Sequence, residues 1–227
     1  MAGRHLPELL LDKTPPLSTM TEEEMAEKVL ASDAADAVVI GPGCGVSEAL
    51  YRMTEMLVGR AGAPLLIDAD ALGAIAAYAP DVDAFFASAK RPLVLTPHPL
   101  ELARLIRCTV SEVQASRMRL TLACAKKWGV SLLLKGAGSL IADADALYIN
   151  TTGSTALAKG GSGDVLAGAV GAFLAQGVFP TAALALGVYL HGAAGDSLAE
   201  ELSEYGVIPS DLPRRMAELI AKKLRER

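Results

Sequence analysis

Short apolar runs alternate with longer amphipathic segments along most of the chain. Four runs have the length of a buried strand, at 37–40, 64–67, 93–95 and 130–134. Each is followed by a turn rich in Gly, Pro or Asp, or by a Gly-rich segment, as the chain continues. Because strands that alternate with helical segments form parallel sheets with crossover helices, the pattern predicts an α/β fold with helices on both faces of a mostly parallel sheet.

The segments between and after these runs show helical periodicity and capping residues. Ser47 is predicted to cap a helix that runs to about Val58, and Ser111 is predicted to cap one long helix that reaches Trp128. The remaining predicted helices cover 71–78, 100–106, 163–175, 181–202 and 211–225. Residues 140–142 and 147–149 alternate as an antiparallel hairpin would.

The segment from Val165 to Gly195 carries no formal charge when His191 is neutral, so it could be mistaken for a membrane span. Gln176-Gly177 and Pro180-Thr181 interrupt it, and the two pieces have their own helix signals. We therefore predict two buried helices and no membrane partner. The first eleven residues lack the pattern of a secretory signal, which favours a cytoplasmic location.

Composition and charge narrow the class of protein. Hydrophobic residues make up 52% of the chain and aromatic residues only 4%, so the core must consist of Ala, Leu, Val and Gly. The length of 227 residues suits one domain over 1–227, and a net charge of −5 disfavours a nucleic-acid partner. Cys44, Cys108 and Cys124 lack metal-site spacing and are predicted to be buried small apolar residues.

A Gly-rich segment at 158–168 is the strongest chemical signal. Its glycines let main-chain N–H groups turn toward an anion, and the predicted helix that follows directs its positive end to the same place. Asp164 adds a carboxylate beside this anion hole. The segment lacks the GK[ST] ending of a Walker loop, and taken alone it could also be an ordinary helix cap.

Four other segments precede it in a fixed order. They are 41–45 (GPGCG), 68–72 (DADAL), 96–101 (TPHPLE) and 134–139 (LKGAGS). Together with the Gly163-Asp164 loop, this ordered set resembles the NAD(P)H-hydrate dehydratase family, whose domain has a ribokinase-like fold. The resemblance extends from about Leu6 to Leu202. Since ligands bind at the carboxyl ends of strands in such sheets, the five segments should meet in one cleft.

The resemblance implies an activity and a set of site residues. The family uses ADP or ATP with Mg²⁺ to remove water from hydrated NADH or NADPH (NADHX or NADPHX). By motif, Asp164 matches the catalytic aspartate, a general base that also contacts the substrate. The positions that match substrate contacts are Gly45 and His98, and those that match nucleotide contacts are Lys135, Gly136, Ala137, Gly138, Ser139 and Gly163.

Assembly and chain length are also implied by the resemblance alone. Family members are homo-oligomers, commonly tetramers, and an epimerase acts on the same metabolite. They also begin with a strand, a helix and a second strand before the position that corresponds to 6–9 in this sequence. We therefore expect this chain to lack that opening segment.

Alternatives remain open at this point. Any phosphoryl transfer to a hydroxyl suits an anion hole with an aspartate, so a thiazole or hydroxymethylpyrimidine kinase is one alternative, although such kinases usually have Asn where His98 stands. A catalytically silent nucleotide-binding module is another. Two of the residues also have a purely structural interpretation. His98 could simply hydrogen-bond the backbone, and Glu101 could simply complement a helix dipole. Asp68 and Asp70 are interpreted as helix caps rather than magnesium ligands.

Overall fold

One six-stranded sheet organises the protein, whose computed structural model describes residues 17–226. The strands are β1 Val38–Ile40, β2 Leu65–Ile67, β3 Leu93–Leu95, β4 Ser131–Leu134, β5 Leu140–Ala142 and β6 Leu147–Ile149. They lie side by side in chain order. β1 to β4 pair in parallel, and β5 pairs antiparallel with both β4 and β6. The predicted strands and hairpin are confirmed.

Ten helices connect or cover these strands in the described part of the chain. They are α1 Glu22–Ala31, α2 Glu48–Val58, α3 Ala69–Tyr78, α4 Val82–Ala87, α5 Pro99–Leu105, α6 Val110–Ala115, α7 Arg117–Trp128, α8 Ser162–Ala175, α9 Pro180–Gly206 and α10 Leu212–Arg225. As predicted, Ser47 caps α2, with its Oγ accepting a hydrogen bond from the N–H of Leu50 at 3.2 Å. α1 and α4 were not among the predicted helices.

The two faces of the sheet are covered by different parts of the chain. Side chains alternate along each strand, so Leu65 and Ile67 pack against the layer of α2 to α7, while Leu66 packs against α8 and α9. When parallel strands lie side by side in chain order, right-handed crossover connections place all of the connecting helices on the same face of the sheet. The second face is therefore left for the helices that come after the sheet.

The predicted long helix after residue 111 is wrong in two respects. Its cap is Thr109, whose Oγ1 accepts from the N–H of Glu112 at 3.2 Å while the Glu112 carboxylate accepts from the N–H of Thr109 at 2.8 Å. This reciprocal pair satisfies two helix N–H groups at once, so it outcompetes Ser111. The helix also breaks at Ser116 (φ −135°), which makes Arg117 the first residue of α7.

The uncharged segment forms two helices that pack on the sheet, as predicted. Val170 of α8 is fully buried, and so is Leu184 of α9. Although α9 has 27 residues, it is interrupted at Ser203, where φ is 61°. Within residues 17–226, none of the helices has the length and apolar character that a membrane crossing requires.

Candidate active site

The carboxyl ends of β1, β2, β3 and β4 carry the Gly-, Asp- and Pro-rich segments that the sequence singled out. Parallel strands end at the same edge of a sheet, so these segments are neighbours in space although they are far apart in the chain. The strongest direct link is an ion pair between Lys135, after β4, and Asp68, after β2. Lys135 Nζ lies 2.7 Å from Asp68 Oδ1.

This ion pair is largely shielded from solvent. The Asp68 side chain is 2% exposed and that of Lys135 is 20% exposed. A buried carboxylate needs a charged or hydrogen-bonding partner because water no longer solvates it. Lys135 therefore holds Asp68 in place, and Asp68 fixes the direction of the ammonium.

The same ammonium borders the start of α8. A Cβ placed on Gly163 would lie 3.8 Å from Lys135 Nζ, which is an ordinary contact distance. The cap residue of α8 is Gly161, with φ of 93° and no side chain to cap the helix. The main-chain N–H groups of Gly163 and Asp164 have no acceptor in residues 17–226. Free N–H groups at a helix N-terminus beside a lysine form an anion-binding site.

Asp164 is the third residue of α8 and is exposed to solvent. Its carboxylate makes no hydrogen bond or ion pair with the described part of the chain. Asp68 is already paired with Lys135, whereas the carboxylate of Asp164 beside the free N–H groups has no protein partner in residues 17–226. It is free to accept a proton from a bound hydroxyl.

His98 and Glu101 form a capping box at the start of α5. His98 Nδ1 accepts from the N–H groups of Leu100 at 3.1 Å and Glu101 at 3.2 Å, and Glu101 Oε2 accepts from the N–H of His98 at 2.7 Å. Because Nδ1 is an acceptor, we assign the ring proton of neutral His98 to Nε2, 3.3 Å from Glu101 Oε1. Both residues thus have local structural roles: His98 bonds the backbone, as its alternative interpretation proposed, and Glu101 accepts a main-chain hydrogen bond beyond complementing the helix dipole.

Burial and neighbouring charge shift both groups. Desolvation lowers the pKa of His98, and the positive charge of Lys135 lowers it further. Desolvation raises the pKa of Glu101, and the positive charge of Lys135 opposes this rise without cancelling it. A neutral imidazole is also what the capping role requires, since a protonated Nδ1 could not accept hydrogen bonds. The site therefore favours an uncharged His98 at neutral pH.

This shift predicts an acid-dependent loss of stability. The folded pKa of His98 is below its unfolded value of about 6.5, so its contribution is complete above that pH and is lost as pH falls through the folded pKa. His98→Asn keeps a capping acceptor that does not titrate. The free energy of unfolding, measured in urea between pH 7.5 and 5, should fall less steeply for the variant. Identical slopes for the two proteins would exclude His98 as the cause.

Gly45 and Asp70 face each other across the β1 and β2 ends. The main-chain N–H of Gly45 donates to Asp70 Oδ2 at 2.8 Å. Between the two acidic residues, Ala69 has φ of 47°, a left-handed conformation that costs a residue with a Cβ on the order of 1 kcal/mol. Asp68 occupies the N-cap position of α3, as predicted, but its side chain makes no capping hydrogen bond. Its carboxylate bonds Lys135, and that of Asp70 bonds Gly45.

The Gly-rich loop before α8 is tied to the C-terminal helices. Lys159 Nζ donates to the carbonyl oxygens of Glu204 at 2.8 Å and Tyr205 at 3.1 Å, and also to that of Val207. On its other side, the buried His191 of α9 contacts the main chain of Ser162. These contacts hold the loop in place where α8 begins, and no sequence motif predicts them.

The structure brings most of the predicted site residues to one edge of the sheet. Lys135 pairs with Asp68 and lies beside Gly163, which is followed in the chain by Asp164. Along with desolvation, the charge of Lys135 also lowers the pKa of His98. Gly136, Ala137 and Gly138 form an exposed loop after Lys135, and Ser139 Oγ donates to the carbonyl of Gly136 at 2.9 Å. Gly45 lies next to Asp70 on the β1 side.

The cysteine prediction is only partly right. Cys124 is buried and Cys108 is intermediate, but Cys44 is exposed in the turn after β1. Cys108 and Cys124 line a cavity of about 720 Å³ between α4, α5, α6 and α7, which contains none of the predicted site residues. The cavity is therefore separate from the candidate site.

Metal binding by protein ligands alone does not fit the described residues. In residues 17–226, no group of three or more His, Cys, Asp or Glu side chains is arranged to hold a metal ion. Asp68 is paired with Lys135, and Glu101 with the main chain of His98. Mg²⁺ commonly keeps several waters and binds through substrate phosphates with one or two carboxylates. The site is thus compatible with a magnesium ion that enters with a nucleotide.

Sequence comparison identifies related proteins. The profile of a family described as NAD(P)H-hydrate dehydratase matches residues 3–218. The chain is 38% identical to the bifunctional NAD(P)H-hydrate repair enzyme Nnr of Moorella thermoacetica, covering 90% of this chain and 40% of that protein. It is 36% identical to the ADP-dependent (S)-NAD(P)H-hydrate dehydratase of Neisseria meningitidis, covering 86% and 62%. The chain thus spans less than two thirds of either relative.

Structural comparison agrees with the sequence. The ADP/ATP-dependent NAD(P)H-hydrate dehydratase of Bacillus subtilis, co-crystallised with ATP and Mg²⁺, superposes with a TM-score of 0.78 and 27% sequence identity. The match covers 97% of this chain and 74% of that one. The predicted ribokinase-like α/β fold is confirmed.

Proposed function

The chain belongs to the NAD(P)H-hydrate dehydratase family, and on that premise we propose that its cleft removes water from NADHX or NADPHX with ADP or ATP as phosphoryl donor. One observation carries this proposal. A lysine, a set of free helix N–H groups and a free carboxylate meet at one edge of the sheet. Phosphoryl transfer to a hydroxyl needs these three kinds of group.

The reaction assigns a separate task to each group. Asp164 accepts the proton of the substrate hydroxyl while the hydroxyl oxygen attacks the terminal phosphorus of the nucleotide. The bond from that phosphorus to the bridging oxygen of the nucleotide breaks. The free N–H groups of Gly163 and Asp164, with Lys135, stabilise the charge on the transferred phosphoryl oxygens. The bond from the ring carbon to the phosphorylated oxygen then breaks and releases phosphate, a better leaving group than hydroxide. The neighbouring ring carbon gives up a proton to water, which restores the dihydronicotinamide.

The substrate is proposed to lie over the ends of β1 and β3. Gly45 has its N–H fixed by Asp70 and an exposed main chain, so a ring can approach it closely. His98 is uncharged at neutral pH, and its side chain is 45% exposed, which leaves an edge of the imidazole for the substrate. A bound Mg²⁺ would neutralise phosphate charge, and the phosphates and water would be most of its ligands.

Turnover of the hydrated cofactor tests the proposal. The chain is incubated with NADHX or NADPHX and with ADP, ATP or no nucleotide, and the return of the dihydronicotinamide absorbance is followed. We expect turnover that requires nucleotide and Mg²⁺. Transfer of phosphate to a thiazole or pyrimidine alcohol, without action on either hydrate, would instead identify a small-molecule kinase.

Lys135→Ala should weaken ADP and ATP binding by about tenfold or more, the usual effect of losing a charged hydrogen bond. The variant also leaves Asp68 buried without its partner, which should lower the free energy of unfolding by about 1–3 kcal/mol. Calorimetric titration measures the first effect and a urea melt the second.

A double variant separates the two effects. Lys135→Met with Asp68→Asn removes both charges and should recover most of the lost stability without recovering nucleotide affinity. Lys126→Ala, at an exposed position on α7, is the matched control and should change neither quantity. Unchanged nucleotide affinity in Lys135→Ala would remove this lysine from the binding site.

A further inference from the structure

Arg117 lies across the loop that follows β4. Its Nη2 donates to the carbonyl oxygen of Gly138 at 3.2 Å. A Cβ placed on Gly136 would lie 2.8 Å from Nη1 and 3.3 Å from Cζ, so the guanidinium occupies the space that a side chain there would take. Gly136 also has φ of 140°, which only glycine adopts readily. The loop and the arginine are therefore built to fit each other.

The electrostatic setting of Arg117 is unfavourable without a ligand. It is the first residue of α7, whose first turn contains no acidic residue. The N-terminus of a helix carries partial positive charge and repels a cation. In residues 17–226, no carboxylate lies within 4.0 Å of the guanidinium, and Gly138 supplies its sole hydrogen-bond acceptor. Most of the five N–H donors of the group are thus unused.

An anion would satisfy both the charge and the donors. Arginine binds phosphate through two parallel hydrogen bonds, a geometry that a lysine ammonium cannot provide. Next to the loop, an open groove of about 680 Å³ is lined by Arg117, Gly138 and Ile149 among others. There is room at this position for part of a ligand larger than a single phosphate.

We propose that Arg117 binds the α-phosphate of the adenine nucleotide, the phosphate next to the ribose. The inference rests on the proposed function, in which the reacting phosphoryl group lies near Asp164 and Lys135. On that assignment, the ribose and adenine of the nucleotide extend from the reacting phosphate along the loop toward Ser139. Arg117 covers that stretch, so Lys135 serves the reacting end of the nucleotide and Arg117 the ribose end.

Titration of a ligand series tests the assignment. Adenosine, AMP, ADP and ATP are titrated against the full chain and its Arg117→Gln and Arg117→Lys variants. Gln can still donate to the Gly138 carbonyl but has no charge, so Arg117→Gln should weaken AMP, ADP and ATP by about tenfold each and adenosine by less than about twofold. Arg117→Lys restores the charge and should recover part of the loss.

Each result decides between distinct conclusions. Equal weakening of adenosine and AMP would mean that Arg117 only supports the loop, and this would overturn the inference. Wild-type affinities in Arg117→Gln would also overturn it, while weak binding by Lys135→Ala would leave the proposed function intact. A wild-type chain that binds none of the four ligands would overturn both. Arg225→Gln, at an exposed position on α10 outside this groove, is the control and should bind like wild type.

Discussion

Asp164→Asn should reduce dehydratase turnover by about 100-fold or more while nucleotide affinity remains within about threefold of wild type. The amide has nearly the shape of the carboxylate but cannot accept the hydroxyl proton. Asp164 has no protein partner in the described part of the chain, so its replacement breaks no structural contact. Single-turnover kinetics and calorimetric titration measure the two quantities.

The control for this variant is another exposed aspartate. Asp145 lies in the turn of the β5–β6 hairpin, away from the carboxyl ends of the parallel strands. Asp145→Asn makes the same chemical change and should leave turnover unaltered. Near-normal turnover by Asp164→Asn would show that some other group accepts the proton.

Gly41→Ala should lower the free energy of unfolding by about 2–5 kcal/mol, from a steric cost of about 1–3 kcal/mol and a backbone strain of about 1–2 kcal/mol, a large part of the roughly 5–15 kcal/mol typical of a domain. Gly41 follows β1 with φ of 122°. A Cβ there would lie 1.8 Å from the carbonyl oxygen of Asp68 and 3.0 Å from the Cβ of Ala71, so main chain would have to move. The displaced residue is the partner of Lys135, and nucleotide binding should fall as well.

Gly43→Ala provides the matched comparison two residues later. Gly43 has φ of 70°, but a Cβ there would meet no atom within 4 Å. Its replacement should cost only the conformational strain, about 1 kcal/mol. Urea melts of both variants measure the difference. Equal destabilisation would mean that positive φ, and not the contact with Asp68, determines the cost.

Elements with a local cause were predictable. The strands could be predicted from short apolar runs, and the start of α2 could be predicted from Ser47, because both signals depend only on nearby residues. Thr109 and Ser111 are both suitable caps, and the choice between them depends on whether Glu112 can bond back to the main chain. The break at Ser116 was missed because the segments on both sides have helical periodicity.

The order of the motifs predicted which residues meet at the candidate site, but it did not predict the contacts between them. Lys135 and Asp68 are 67 positions apart, and their pairing requires that β2, β3 and β4 be adjacent and in register. Aspartates after a strand are common helix caps, and Asp68 does occupy the cap position of α3, but its carboxylate bonds Lys135 and not the N–H groups of the helix. Arg117 gave no signal, since a basic residue in a predicted helix is usually solvent-exposed.

The division of the sheet between two covering layers has a consequence for synthesis of the chain. Leu66, Val94 and Leu133 face α8 and α9, which span residues 162–206 and are made after the sheet. On the ribosome, the first face acquires its helices as each strand emerges, whereas the second remains bare until the later helices arrive. Contacts between distant parts of a chain form slowly, and exposed apolar sheet promotes aggregation. We therefore expect nascent chains that stop before α9 to aggregate more readily than the full chain.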